Sequence, residues 1–95
     1  MTKSAKQIGP ETISGSGAVQ RLYRLSEPLE GFEFIKVSAV ESAFDTMEPE
    51  TSIFGCHSGD GVISDWAELT GSYQGGTDHF EALRRAGYVV KPGVE

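Results

Sequence analysis

The side chains with the most chemical potential are Cys56, His57, Asp60, Asp65, Asp78 and His79. Zinc sites pair their ligands at short fixed spacings, so that two side chains converge on one ion. Cys56 and His57 are adjacent instead, and neighbours on a strand point to opposite faces. Asp60-Gly61 with Asp65 falls short of a calcium loop, which needs more acidic positions and a terminal Glu. No metal and no cofactor is expected from this set. For nucleophilic catalysis, only His79 could reach Cys56, and a lone cysteine is more often a small buried hydrophobe. Any two carboxylates are uninformative in a chain this rich in acids. The Gly71–Gly76 stretch lacks the lysine of a phosphate-binding loop. No catalytic residue and no enzyme activity is expected. The most site-like spot is Asp78-His79 beside the Gly-rich loop that holds Tyr73. A binding surface is therefore expected from Tyr73, Asp78 and His79, with Asp65, Trp66 and Glu68 from the preceding segment.

Several elements must position these residues. Val19 to Leu25 alternates, with Val19, Arg21, Tyr23 and Leu25 on one face, and reads as a strand. Glu27 to Gly31 is turn chemistry. Phe32 to Val40 is apolar on both faces after its start, as a central strand would be. Glu41 to Glu50 reads as one helical turn or a loop, with Ala43, Phe44 and Met47 at helical spacing and Pro49 as a stop. Thr51 to His57 is a third strand, Ser58 to Gly61 a turn, and Val62-Ile63 a short fourth strand. Asp65 to Leu69 suits one short turn packed by Trp66 and Leu69. Thr77 and Asp78 compete to cap a helix with the apolar stripe Phe80, Leu83 and Ala86. Gly87 ends that helix, and Tyr88-Val89-Val90 is a last strand stopped by Pro92.

The order β-β-β-β-α-β predicts an α+β fold. It would be a small, mostly antiparallel sheet of four to five strands with one C-terminal helix on one face. Residues 1–18 read as a flexible tail, 19–92 as a single domain and 93–95 as a short C-terminal tail. Phe34, Phe54, Trp66, Phe80, Leu83 and Tyr88 are the expected core.

The chain has 95 residues and a net charge of -6. That length suits one domain and excludes a complete dinucleotide-binding fold or a barrel enzyme. The charge is unevenly spread. Residues 27–81 carry twelve acids against the single base Lys36, a net of -11, while residues 1–26 carry +3 and 82–95 carry +2. An acidic body repels phosphate backbones, so no direct nucleic-acid partner is expected. It could meet a basic protein surface, or simply keep the domain in solution. Cys56 is the sole cysteine, so no intrachain disulfide forms, and a reducing compartment is expected. No signal peptide and no membrane-spanning run is visible.

The second half carries a recurring pattern. It runs Pro49-Glu50-Thr51-Ser52-Ile53-Phe54, Asp65-Trp66-Ala67-Glu68-Leu69, Gly71-Ser72-Tyr73-Gln74-Gly75-Gly76-Thr77-Asp78-His79, then Ala82-Leu83 and Ala86-Gly87-Tyr88. This resembles small uncharacterised proteins of actinobacteriophages, including phages of mycobacteria, over about residues 32–90. It departs from them at Glu48, where glycine is frequent, and at Gly55-Cys56-His57. The resemblance implies an accessory protein in the cytoplasm of an infected bacterium. It transfers no catalytic residue. The expected function is non-enzymatic: binding and modulating a host bacterial protein. Two alternatives stand beside it, an acidic mimic of nucleic acid and a structural or self-associating protein. A homodimer through an exposed sheet edge is a further expectation.

Overall fold

The computed structural model describes residues 2–15, 17–41 and 48–95. They form β1 (Lys3–Gln7), β2 (Thr12–Ile13), β3 (Val19–Leu29), β4 (Phe32–Val40), β5 (Glu50–Cys56), β6 (Ile63–Asp65), β7 (Tyr73–Gln74), α1 (His79–Arg85) and β8 (Tyr88–Val94). The strands join in one sheet of order β6-β5-β4-β3-β1-β8, with β2 beside β3 and β7 beside β5. Every pairing is antiparallel except β1 with β8. The fold is α+β, with a mostly antiparallel open sheet and one helix near the C-terminus, as expected. The described strands number eight rather than four to five.

Period-two alternation sorts the side chains. Register places Tyr23 opposite Ile35 and Arg21 opposite Val37, and on β5 Ile53 lies opposite Val37. Side chains at paired positions share a face, so Tyr23, Leu25, Ile35, Val37 and Ile53 form one apolar surface. Helix α1 covers it with Ala82, Leu83 and Ala86, and Tyr88 and Ala5 close the cluster. Burying Leu83 completely is worth roughly 2–3 kcal/mol. The helix starts where Asp78 Oδ1 accepts from the backbone N–H groups of Phe80 and Glu81, so Asp78 and not Thr77 is the cap. Thr77 instead donates its hydroxyl to Glu41. Arg84 and Arg85 stand in the last turn, and Gly87 follows with φ +97°.

The largest departure from expectation is at the N-terminus. Residues 3–7, expected in a flexible tail, form an inner strand between β3 and β8. Ala5 is fully buried there. Its small side chain sits under the core at a position where composition alone suggests disorder. The C-terminal residues are likewise tied in. Glu95 donates its N–H to Gln7 O and accepts from Gly9 N–H.

Four of the expected core aromatics are not in the core. Phe34 and Phe54 lie half-buried, while Trp66 and Phe80 are exposed; Leu83 and Tyr88 are buried as expected. The reason is parity. Phe34 pairs with Cys56 and Phe54 with Lys36, one residue out of step with the helix-bearing face. On α1 the buried residues are His79, Ala82 and Leu83, so the helix presents a stripe rotated away from Phe80. Asp65 to Leu69 forms no helical turn: Asp65 ends β6, and Leu69 packs against the core. The expected turn with Ala43, Phe44 and Met47 lies outside the described residues.

The β3–β4 hairpin turns at Glu30 and Gly31, both at positive φ (+50° and +91°), as a two-residue hairpin loop requires. Gly71 is constrained more tightly. A Cβ there would sit 2.5 Å from Ala82 O and 2.9 Å from both Ala86 Cβ and Ile53 Cδ1, at φ +106°. The loop thus passes through the gap between α1 and β5, and only glycine fits.

Gly71→Ala is expected to cost about 2–4 kcal/mol in urea unfolding, from backbone strain plus overpacking. Gly75→Ala, also at positive φ but with open space around it, should cost about 1 kcal/mol. Deleting residues 2–8 should abolish cooperative thermal unfolding; an unchanged melting temperature would mean that this segment is a tail after all.

Candidate functional site

The six expected binding residues fall into two groups. Asp78, His79 and Tyr73 gather around Thr51. Asp78 donates its N–H to Thr51 Oγ1 at 3.1 Å, and Tyr73 pairs with Thr51 in the sheet. Trp66 and Glu68 contact β5 from its other face. The Trp66 ring meets Phe54 edge-on, with centroids 5.1 Å apart, and Glu68 Oε1 accepts from Ser52 Oγ at 2.7 Å. Ser52 and Phe54 alternate with Thr51 and Ile53 along β5, so the sheet separates the groups. Asp65 lies opposite Gly55 on the β6 edge of β5.

Near α1 the chemistry is structural. Asp78 spends its carboxylate on the helix cap. His79 Nε2 lies 2.9 Å from Val19 O. A carbonyl only accepts, so Nε2 carries the proton in this contact. Burial pushes the imidazole pKa down, with a contribution from Arg21, while the Val19 carbonyl and the charges of Glu11 and Asp78 oppose the shift. Tyr73 is half-buried with the Arg85 guanidinium 4.4 Å over its ring.

Cys56 and His79 are not brought together. Thr51 adjoins the start of α1, and Cys56 lies five residues further along β5, roughly 16 Å at strand rise, on the opposite face. The buried thiol has its pKa pushed up by burial, which disfavours the thiolate at neutral pH. Among the described residues no three His, Cys, Asp or Glu side chains come close enough to hold a metal ion. No helix among them is long and apolar enough to cross a membrane.

A different place lies outside the residues expected from the sequence. Arg21 stands on the helix-bearing face between Val19 and Tyr23, a charge inside an apolar register. Its Nε donates to Glu11 Oε1 at 2.7 Å, with both side chains part-exposed, 27% and 41%. Its guanidinium also lies 5.5 Å from the centre of the Phe80 ring. Next along β3, the Tyr23 hydroxyl is buried without a hydrogen-bond partner among the described residues. Burial raises its pKa, and the neighbouring Arg21 side chain opposes that rise.

Around the Arg21–Glu11 pair lies a cleft of about 590 Å³, walled by Phe80, Val90, Pro92 and Val94 and edged by Lys91. A second hollow of about 340 Å³, lined by Val19, Glu41, Thr77 and His79, shares Arg21 and Glu11. The Arg21–Glu11 pair is thus the partition between two openings on one face. The signal for it was visible in the sequence as Arg21 on the Val19–Tyr23–Leu25 face.

Topology also reorganises the charge. The order β3-β1-β8 lays the two weakly basic ends of the chain side by side, with α1 packed on β8. Seven of the eight lysines and arginines lie on β1, β3, α1 or β8, with only Lys36 elsewhere. Glu11 and Glu95 pair there with Arg21 and Arg24.

With this geometry in hand, comparison with protein-family models, with curated proteins and with solved structures gives no match.

The lowered pKa of His79 has a sign. The unfolded chain takes up the imidazole proton before the folded one does. Stability is therefore unaffected well above the ordinary imidazole value of 6.5, falls as pH drops through it, and levels off once the folded imidazole also protonates. Urea unfolding from about pH 7.5 down to about pH 5.5 should show this decline, and His79→Gln, which keeps a donor for Val19 O, should flatten it.

Proposed function

We propose that this chain is a non-enzymatic binding module, a phage accessory protein that grips and modulates a host bacterial protein. The observation that carries the reading is Trp66. It is 68% exposed, supported from behind by Phe54, with Val62 also exposed close by in sequence. Tryptophan is strongly buried on average, and an exposed, rigidly backed indole is the usual anchor of a protein interface. Glu68, held by Ser52, stands two residues away as a fixed negative group. The acidic central segment suits a partner with basic groups around a pocket for the indole.

The sheet edges favour a heterologous contact over strand-to-strand self-pairing. β8 carries Lys91 and Pro92, and its ladder with β1 shifts register between Ala5 and Gln7. Lysine, proline and bulges are what keep an edge from pairing with another chain. The opposite edge is made of the three-residue β6 and the two-residue β7.

The test is affinity capture from mycobacterial lysate at low and moderate salt, with the wild type and Trp66→Ala side by side. The wild type should retain one stoichiometric protein that the variant loses, with the affinity of the purified pair falling about 30-fold and the thermal melt unchanged. Retention of nothing by the wild type, or of the same proteins by both, would overturn the reading. Displacement of the partner by DNA would favour the nucleic-acid mimic instead.

A further inference from the structure

We propose that the cleft between α1 and β8 binds a small apolar carboxylic acid, anchored by Arg21, and that Glu11 occupies the anchor until the acid displaces it. This site lies on the opposite face of the sheet from Trp66 and does not rest on the partner reading.

Shape and chemistry both point to this ligand. About 590 Å³ is within the range of small-molecule sites, and its walls are hydrocarbon from Phe80, Val90, Pro92 and Val94. Phe80 and Val94 are exposed, 55% and 56%, so these apolar surfaces face water. The wall is a built feature. Between paired positions β8 advances four residues, from Val90 to Val94, while β1 advances two, from Ala5 to Gln7. Lys6 reaches across to donate its ammonium to Pro92 O, and Gly93 takes φ +85°. Bulges that re-aim side chains are common beside binding sites.

The polar part of the site is basic. Arg21 and Lys91 edge the cleft in a chain of net charge -6. Glu11, the only acid lining it among the described residues, is bound to Arg21 through one oxygen. An ion pair this exposed contributes little and exchanges readily. Glu11 therefore marks where a carboxylate fits and can leave without disturbing the core. A single carboxylate matches the charge: with Glu11 displaced, Arg21 and Lys91 meet one anionic group with an apolar body. A neutral ligand of the same shape leaves Arg21 with its intramolecular partner and gains only the apolar contact, and a cationic one is also repelled by Arg21 and Lys91.

The test is calorimetric titration of the full chain with octanoate, octanamide and octylamine, followed by NMR of the Arg21 Nε–H and the Phe80 ring. Octanoate should bind and shift both signals, and octanamide should bind at least about tenfold more weakly, as loss of a charge-assisted hydrogen bond requires. Octylamine should not bind. Glu11→Gln should tighten octanoate severalfold by freeing the anchor, while Phe80→Ala should weaken it with the thermal melt unchanged. Arg21→Gln should abolish the preference of the acid over the amide. Should that variant fail to fold, Lys91→Gln and Glu11→Gln decide the matter, since both side chains are solvent-exposed. Equal binding of acid and amide, no binding of octanoate at millimolar concentration, or an unchanged affinity in Glu11→Gln would each overturn the proposal.

Discussion

Among the described strands, β8 joins the sheet through β1 alone. The order β3-β1-β8 makes the first strand of the chain the bridge between the central hairpin and the last strand, and α1 packs against that last strand. The bridge is a modest segment, KSAKQ, with one apolar residue. Its stability comes from backbone ladders on both sides and from Ala5 at the floor of the core. Closing a sheet across almost the whole chain costs loop entropy, but that cost grows only slowly with length. The ladders and the burial they permit exceed it. Tyr88, whose hydroxyl donates to Glu27 O at 2.8 Å, and Lys3, 4.8 Å over the Tyr88 ring, fasten the same junction through side chains.

The features of functional interest depend on this bridge. With β1 in place, β8 lies where Val90, Pro92 and Val94 face Phe80 across a cleft, and Lys6 can hold the Pro92–Gly93 bulge. The same pairing brings most of the positive charge to one side of an acidic protein. The opposite side, around β5 and β6, keeps the exposed Trp66 and its Phe54 support. The two faces therefore differ in shape, while basic residues stand on both: Arg21 on the helix-bearing face, and Lys6, Arg24 and Lys36 in register with Phe34 and Phe54. The Trp66 ledge is where we propose that a protein partner docks, and the basic cleft is where we propose that a small acid binds.

His79 shows how a residue that looks chemical can be structural. Its neighbour caps the helix, its ring is buried, and one nitrogen is committed to Val19 O. Burial holds it neutral, so it adds a pH dependence to stability and leaves the proton chemistry to no obvious substrate. Cys56 is similar: burial raises its pKa and the sheet keeps it from the histidine it would need.

The parts legible in the sequence were those with local causes. Alternation announced β3 and β4; the apolar Ile53 and Phe54 ahead of the Ser58–Gly61 turn announced β5; Asp78, the apolar residues and Gly87 delimited α1; Glu30-Gly31 marked the tip of the central hairpin. These depend on period, capping and φ, which act within a few residues. Which face of each strand turns inward did not follow, because Phe34 and Ile35 are equally apolar and only pairing with β5 and the cover of α1 chooses between them. The N-terminal strand was invisible for the same reason, since Lys3–Gln7 has no apolar run of its own and becomes a strand by hydrogen-bonding to partners distant in sequence. Trp66, Glu68, Asp78 and His79 were recognisable as polar or aromatic residues near turns, yet only the fold separates them into two faces. By itself, the sequence determined the class, the helix and the central strands, because their causes are local. The cleft, the Arg21–Glu11 pair and the gathering of basic residues were decided by tertiary structure, because each joins the two ends of the chain.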